Sequence, residues 1–157
     1  MLRVLVEHGV DFVLIGGIAG IARGSAYMTQ DLEIAYARDC ENLTRLAAAL
    51  TELEARERGA PTNVPFLLDA KTLREGAHFT FLTTSGPLDI LDRPDGSPPY
   101  EELKRRAGPP LDVDGFPVCV ASVDDLIAMK EATGRPRDAL VASELRVLAD
   151  EIRDLER

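Results

Sequence analysis

The chain has 157 residues, 45% of them hydrophobic, and its 18 Lys and Arg stand against 27 Asp and Glu for a net charge of −9. That length and apolar content predict one globular domain with a substantial core and exclude a disordered chain. The acidic balance argues against broad, sequence-independent binding to nucleic acid, though a local basic patch remains compatible with it.

Leu2 to Glu7 reads as a short, partly apolar helix closed by Gly9. Phe12-Val13-Leu14-Ile15 is an apolar run with the length of a buried strand, ended by Gly16-Gly17. Ile18 to Arg23 has the small and apolar residues of a short helix, and Gly24-Ser25 marks a turn. Thr29-Gln30-Asp31-Leu32-Glu33-Ile34 then alternates polar and apolar residues as a half-buried strand does, fading after Tyr36. Glu41 to Glu57 is predicted helical because Leu43, Leu46, Ala47, Leu50 and Leu53 recur at spacings of three and four, with Asp39 as N-cap. Gly59-Ala60-Pro61 breaks that helix, and Ala60 to Pro65 reads as loop.

Phe66 to Leu68 has the makings of a short strand, and Ala70 to Glu75 those of a helical turn. His78 to Thr84 is aromatic and β-branched, and Ser85-Gly86-Pro87 turns it into Leu88-Asp89-Ile90-Leu91, which predicts a hairpin. Asp92 to Pro99 is loop, and Tyr100 to Ala107 a short charged helix. Leu111-Asp112-Val113 and the turn Asp114-Gly115 lead into a strand over Phe116 to Ala121. Ser122-Val123-Asp124-Asp125 is a capping pattern for a helix that Thr133-Gly134 ends. Pro136 suits the first turn of a last helix with the apolar stripe Val141, Leu145, Leu148, Ile152 and Leu155. The sum is a mixed α/β (α+β) domain, a central sheet flanked by helices, with the sheet core over about 1–121 and a helical part over 122–157.

Cys40 and Cys119 lack metal-ligand spacing and suggest a reducing cytoplasm rather than a disulfide framework. No signal-peptide pattern precedes the first strand, and no apolar run approaches the ~20 residues of a membrane span. The expectation is a cytoplasmic protein with no membrane partner.

The chemistry gathers around the second strand. Residues i and i+2 of a strand share a face, so Asp31 and Glu33 present two carboxylates side by side. Such neighbours raise each other's pKa unless a cation lies between them, and hard oxygen ligands suit magnesium. Gly16 and Gly17 remove side chains at the start of a helix and leave backbone N–H groups free for an anion. An anion cradle beside a metal site is the apparatus of phosphoryl or nucleotidyl transfer. Alone, a Gly-Gly pair marks a tight turn, and two acids on a strand face are simply solvated. The order and spacing of the two signals carry the reading. Asp89, between Leu88 and Ile90, adds a third acid, whereas Asp69, His8 and His78 have no motif support.

Gly16-Gly17, Asp31-Leu32-Glu33 and Leu88-Asp89-Ile90 together resemble the three-part pattern of the DNA polymerase β-like nucleotidyltransferase superfamily. Gly24 to Leu50 is similar to its small bacterial and archaeal members, akin to the abortive-infection (AbiEii-like) toxin nucleotidyltransferases. Asp125-Leu126-Ile127-Ala128-Met129-Lys130, followed by Arg135-Pro136-Arg137-Asp138, resembles their last motif, a helical Lys and then a basic stretch ending in Asp. The resemblance implies a nucleotidyltransferase-like fold with C-terminal helices, and transfer of a nucleoside monophosphate from an NTP such as ATP to a hydroxyl. It implies that Asp31, Glu33 and Asp89 ligate two magnesium ions, with Asp89 also helping to deprotonate the acceptor. Gly16, Gly17, Thr29, Lys130, Arg135 and Arg137 would contact the nucleotide, and Asp138 would either partner one of these cations or serve only as a helix-start acid favoured by the macrodipole. The chain has Glu33 where the commoner pattern has Asp, and the pattern admits both. The acceptor is left open among an RNA 3′ end, a protein side chain and a small molecule. A toxin paired with an antitoxin partner is one setting the resemblance allows. The alternative is a degenerate module that binds nucleotide, metal or a protein partner without turnover.

Overall fold

The computed structural model describes residues 1–61, 63, 67–155 and 157. The first half contains α1 (Leu2–Glu7), β1 (Phe12–Ile15), α2 (Gly16–Ala22), β2 (Leu32–Tyr36), α3 (Cys40–Glu52) and β3 (Arg56–Glu57). The second contains α4 (Ala70–Glu75), β4 (His78–Thr83), β5 (Gly86–Leu91), α5 (Tyr100–Ala107), β6 (Leu111–Val113), β7 (Phe116–Val118), α6 (Val123–Ala132) and α7 (Pro136–Leu155).

Among the described residues five strands form a mixed sheet in the order β1-β2-β5-β4-β3. β2 and β5 run parallel and the other neighbours antiparallel. A parallel pair needs a crossover, and α3, β3, α4 and β4 supply it between β2 and β5. β6 and β7 form a separate hairpin, and Val120 beyond it bridges Leu14 of β1. That bridge brings the start of α6 next to the sheet.

Strand alternation divides the sheet chemically. Leu14, Ile34 and Ile90 stand in register and are fully buried in one core with Leu43, Leu46 and Leu50 of α3. Their neighbours in sequence, Ile15, Glu33 and Asp89, stand in register on the other face, with Thr80 beside Asp89. The mixed α/β sheet with flanking helices is the architecture the sequence predicts.

Four local expectations need correction. The helix predicted over Glu41 to Glu57 stops at Glu52. Glu54 takes a left-handed φ of 51°, and the N–H groups of Glu54 and Ala55 donate to the carbonyls of Thr51 and Leu50 at 3.0 Å each. This is a Schellman ending with Glu where glycine is usual, so no breaker announced it, and it frees Arg56 and Glu57 to add an edge strand. The predicted strand from Thr29 begins only at Leu32. The Asp31 N–H turns back to Thr29 Oγ1 at 3.3 Å instead of joining a ladder. Beyond β7 the predicted strand through Ala121 continues as the single bridge at Val120. Of the short strand expected over Phe66 to Leu68, Phe66 lies outside the described residues, and Leu67 and Leu68 belong to no strand. No helix among the described residues is long and apolar enough to cross a membrane.

Candidate active site

Glu33 and Asp89 are paired directly across the parallel β2–β5 ladder, so their side chains leave the same face of adjacent strands, which lie about 4.8 Å apart. Burial is the main reason that both carboxyls are held above the usual range. The Asp31 charge pushes both further up, and Asp89 does the same to Glu33. Asp31 itself lies just before β2 and is exposed. The three acids form one electrostatically coupled group.

The glycines face this group. Gly16 has a left-handed φ of 69°, and a Cβ there would overlap the Glu33 carboxylate. A Cβ on Gly17 would come within 2.5 Å of Thr29 Cγ2. Both positions need glycine because Glu33 and Thr29 fold over the start of α2. The amides expected to be free for an anion already have one beside them: the Glu33 carboxylate lies over Gly16, and the Gly17 N–H is near enough to favour its ionised form. The anion over this turn is the chain's own.

Beyond Glu33 a cleft of about 570 Å³ runs under α6, with Glu33, His78, Arg93, Lys130 and Arg135 in its walls. Lys130 faces Glu33 closely enough for its charge to oppose the effect of burial there. Lys130 Nζ lies 3.1 Å from Asp138 Oδ1, and Thr133 Oγ1 donates to Asp138 Oδ2 at 2.7 Å. Burial alone would raise Asp138, but these two hydrogen bonds outweigh it and hold the carboxyl below its usual range. Arg137 points elsewhere: its Nε donates to the Tyr27 hydroxyl at 2.8 Å, and its guanidinium lies 5.6 Å from the Tyr27 ring centre. The loop between α2 and β2 is thereby tied to α7, and Ser25 Oγ adds a 2.8 Å hydrogen bond to Glu144.

Residues that sequence reasoning missed are Arg58 and His78, whereas Arg93, read there only as part of a possible basic cluster, lies in the cleft wall. Arg58 reaches Asp89 Oδ1 at 3.2 Å, and His78 stands close enough for its charge to lower Asp89. Arg58 was hidden because it follows an edge strand of two residues that read as the end of a helix. His78 carries no motif, and only the hairpin register brings it opposite Leu91 and into the cleft.

Among the described residues, no three His, Cys, Asp or Glu side chains converge as a metal-binding group. The donor chemistry nevertheless fits a hard divalent cation. Two carboxylates, Glu33 and Asp89, stand side by side with the Asp31 charge nearby, and a cation would offset the burial and mutual repulsion that raise the first two.

No protein-family model matches the chain, and no curated protein matches it in sequence. Solved structures do. The chain is similar to the solution structure of the antibiotic-resistance factor ANT(2″)-Ia, with a TM-score of 0.57 and 16% identity over 99% of this chain and 88% of that one. It is similar to the crystal structure of ANT(2″)-Ia in complex with adenylyl-2″-tobramycin, with a TM-score of 0.58 and 16% identity over 99% and 94% of the two chains. A Thermotoga maritima protein, TM1012, assigned as a nucleotidyltransferase, gives a TM-score of 0.54 and 16% identity over 96% and 92%. Likeness at this identity establishes a shared nucleotidyltransferase-like fold.

Proposed function

We propose that the protein is a nucleotidyltransferase that moves a nucleoside monophosphate from an NTP to a hydroxyl. The observation that carries this reading is the register of Glu33 with Asp89, beside Gly16-Gly17 and at the mouth of a cleft that Arg93, Lys130 and Arg135 line together with Asp92 and Asp95. In the reaction the acceptor oxygen attacks the α-phosphorus, the bond to the β-phosphate oxygen breaks, and pyrophosphate leaves. Asp31, Glu33 and Asp89 would hold two magnesium ions, which supply charge neutralisation for such a displacement. Asp89, held above the usual carboxyl range by burial, is suited to take the hydroxyl proton. Lys130, Arg93 and Arg135 would bind the triphosphate in the cleft, and Asp138 keeps Lys130 extended towards it. Gly16 and Gly17 offer their amides to phosphate once Glu33 turns from Gly17 to metal, while Thr29 shapes that turn. Arg137 would serve the acceptor side through the loop at Tyr27.

For the acceptor, the neighbour of nearly equal span was solved with an adenylylated small molecule. That supports ATP as donor and a small-molecule hydroxyl as acceptor over an RNA 3′ end or a protein side chain. A toxin-type enzyme with an antitoxin partner would need one of those larger acceptors. The free thiols of Cys40 and Cys119 support a reducing, cytoplasmic setting for this reaction.

A second reading has its own support. Glu33 already lies over the Gly16-Gly17 turn and Asp89 already takes Arg58, as they would in a degenerate module that binds nucleotide or a partner without turnover. The discriminating assay incubates the protein with magnesium and each NTP, with small polyols and a tRNA pool as acceptors, and detects pyrophosphate. Release supports the enzyme, and nucleotide binding without release supports the degenerate module.

A further inference from the structure

Asp89 is the acid at the open end of the group, and its partner comes from an unexpected quarter. Arg58 follows the edge strand β3, and its N–H donates to the Thr80 carbonyl at 2.8 Å, which fixes its backbone beside β4. Thr80 in turn faces Asp89 across the β4–β5 ladder. From that position the guanidinium crosses β4 to reach Asp89 Oδ1 at 3.2 Å and the Phe81 carbonyl at 3.5 Å. The Asp89 side chain is 17% exposed and that of Arg58 42% exposed, so the carboxylate is enclosed while the cation keeps a route to solvent. Arg58 also lines a second cleft of about 940 Å³ along the β3 edge, which gives the guanidinium space to move into. Glu33, the other partly buried acid, has the Gly17 amide and the Lys130 charge close by, and both favour its ionised form.

We propose that Arg58 is a displaceable counter-cation: it occupies Asp89 when no divalent ion is bound and competes with that ion for the carboxylate. The inference rests on the metal-binding reading of the site given above. A guanidinium and a divalent ion cannot share one enclosed carboxylate oxygen without repulsion, so binding of either weakens the other by the same factor. Arg58 is then a positioning residue. It keeps Asp89 ionised and aimed before the metal arrives, at the cost of metal affinity. Arginine suits this because its charge persists at every working pH and it is weakly hydrated.

The test uses Mn²⁺ as probe, with free ion measured by electron paramagnetic resonance on the full chain in the absence of nucleotide. Arg58→Gln should bind Mn²⁺ about tenfold more tightly than wild type, within the usual range of such couplings. Arg58→Lys, which keeps the charge, should stay near wild type and guards against a folding defect in the first variant. In an Asp89→Asn background the Arg58→Gln gain should vanish. If wild type and Arg58→Gln bind Mn²⁺ alike, the counter-cation role is overturned and the transferase reading stands. If neither binds Mn²⁺ while urea unfolding of wild type, Arg58→Gln, Asp89→Asn and the double variant still shows Arg58–Asp89 coupling, the pair is structural. The metal reading then falls with the proposal.

Discussion

The two faces of one sheet are put to opposite uses. On the face shared with the core, Leu14, Ile34 and Ile90 stand in register with no exposed surface. One residue along the same strands, Ile15, Glu33 and Asp89 stand in register and carry two partly buried acids. A strand repeats every two residues, so packing and chemistry are separated by a single step of sequence with no change of backbone. The apolar face gains free energy from each group it buries. The acidic face loses some, which Lys130 and Arg58 offset in part and a divalent cation would offset further. Substitutions on the two faces should therefore divide into those that move stability and those that move turnover.

The sharpest division is expected at Asp31. Asp31→Ala should lower magnesium-dependent turnover by about a thousandfold or more, on the order of 4 kcal/mol of barrier, while the melting temperature holds or rises. A loss of folded protein at neutral pH would instead make the acid structural. Ile90→Ala is its mirror image: truncation in a sealed core should cost about 2–5 kcal/mol in urea unfolding. The folded fraction should turn over normally. Gly16→Ala crosses the division, because it strains a left-handed backbone and drives into the Glu33 carboxylate. A loss of about 1–3 kcal/mol of stability is expected together with weaker metal binding, read from the same samples.

The smallest effect is a pH dependence. Glu33 titrates above the ordinary glutamate value of 4.5 because burial disfavours its charge. Its ionisation therefore costs folded-state stability: the protein is favoured below that value and loses ground as pH rises through the elevated folded pKa. In metal-free buffer Glu33→Gln should be more stable than wild type at neutral pH, and the advantage should shrink to nothing as pH falls below 4.5. An advantage that is flat across pH would contradict the assignment.

Much of this division is legible in the sequence. Leu88-Asp89-Ile90 and Leu32-Glu33-Ile34 each set an acid between apolar neighbours, and the alternation alone puts acid and core on opposite faces. The Asp39 and Ser122 caps were legible too, and both side chains accept the expected amide, from Asn42 and Asp125. What stayed hidden depends on contacts across the chain. Nothing local indicates that Glu54 takes the left-handed position that ends α3, and without that ending β3 and Arg58 cannot be placed. Asp31 was read as part of a strand because alternation continues past the point where Thr29 folds over Gly17. The Gly-Gly pair was legible as a turn that excludes side chains, but the anion drawn onto Gly17 is Glu33.

The account stands or falls on whether Glu33 binds metal for the nucleotide. The direct measurement is calorimetric titration of each NTP, with and without magnesium, into wild type, Glu33→Asp and Glu33→Gln. Asp keeps the charge on a shorter arm, whereas Gln keeps the shape without the charge. The account predicts magnesium-dependent NTP binding in wild type and Glu33→Asp, and its loss in Glu33→Gln. If Glu33→Gln binds with the magnesium dependence of wild type, Glu33 is no ligand and the acidic face belongs to a module without turnover.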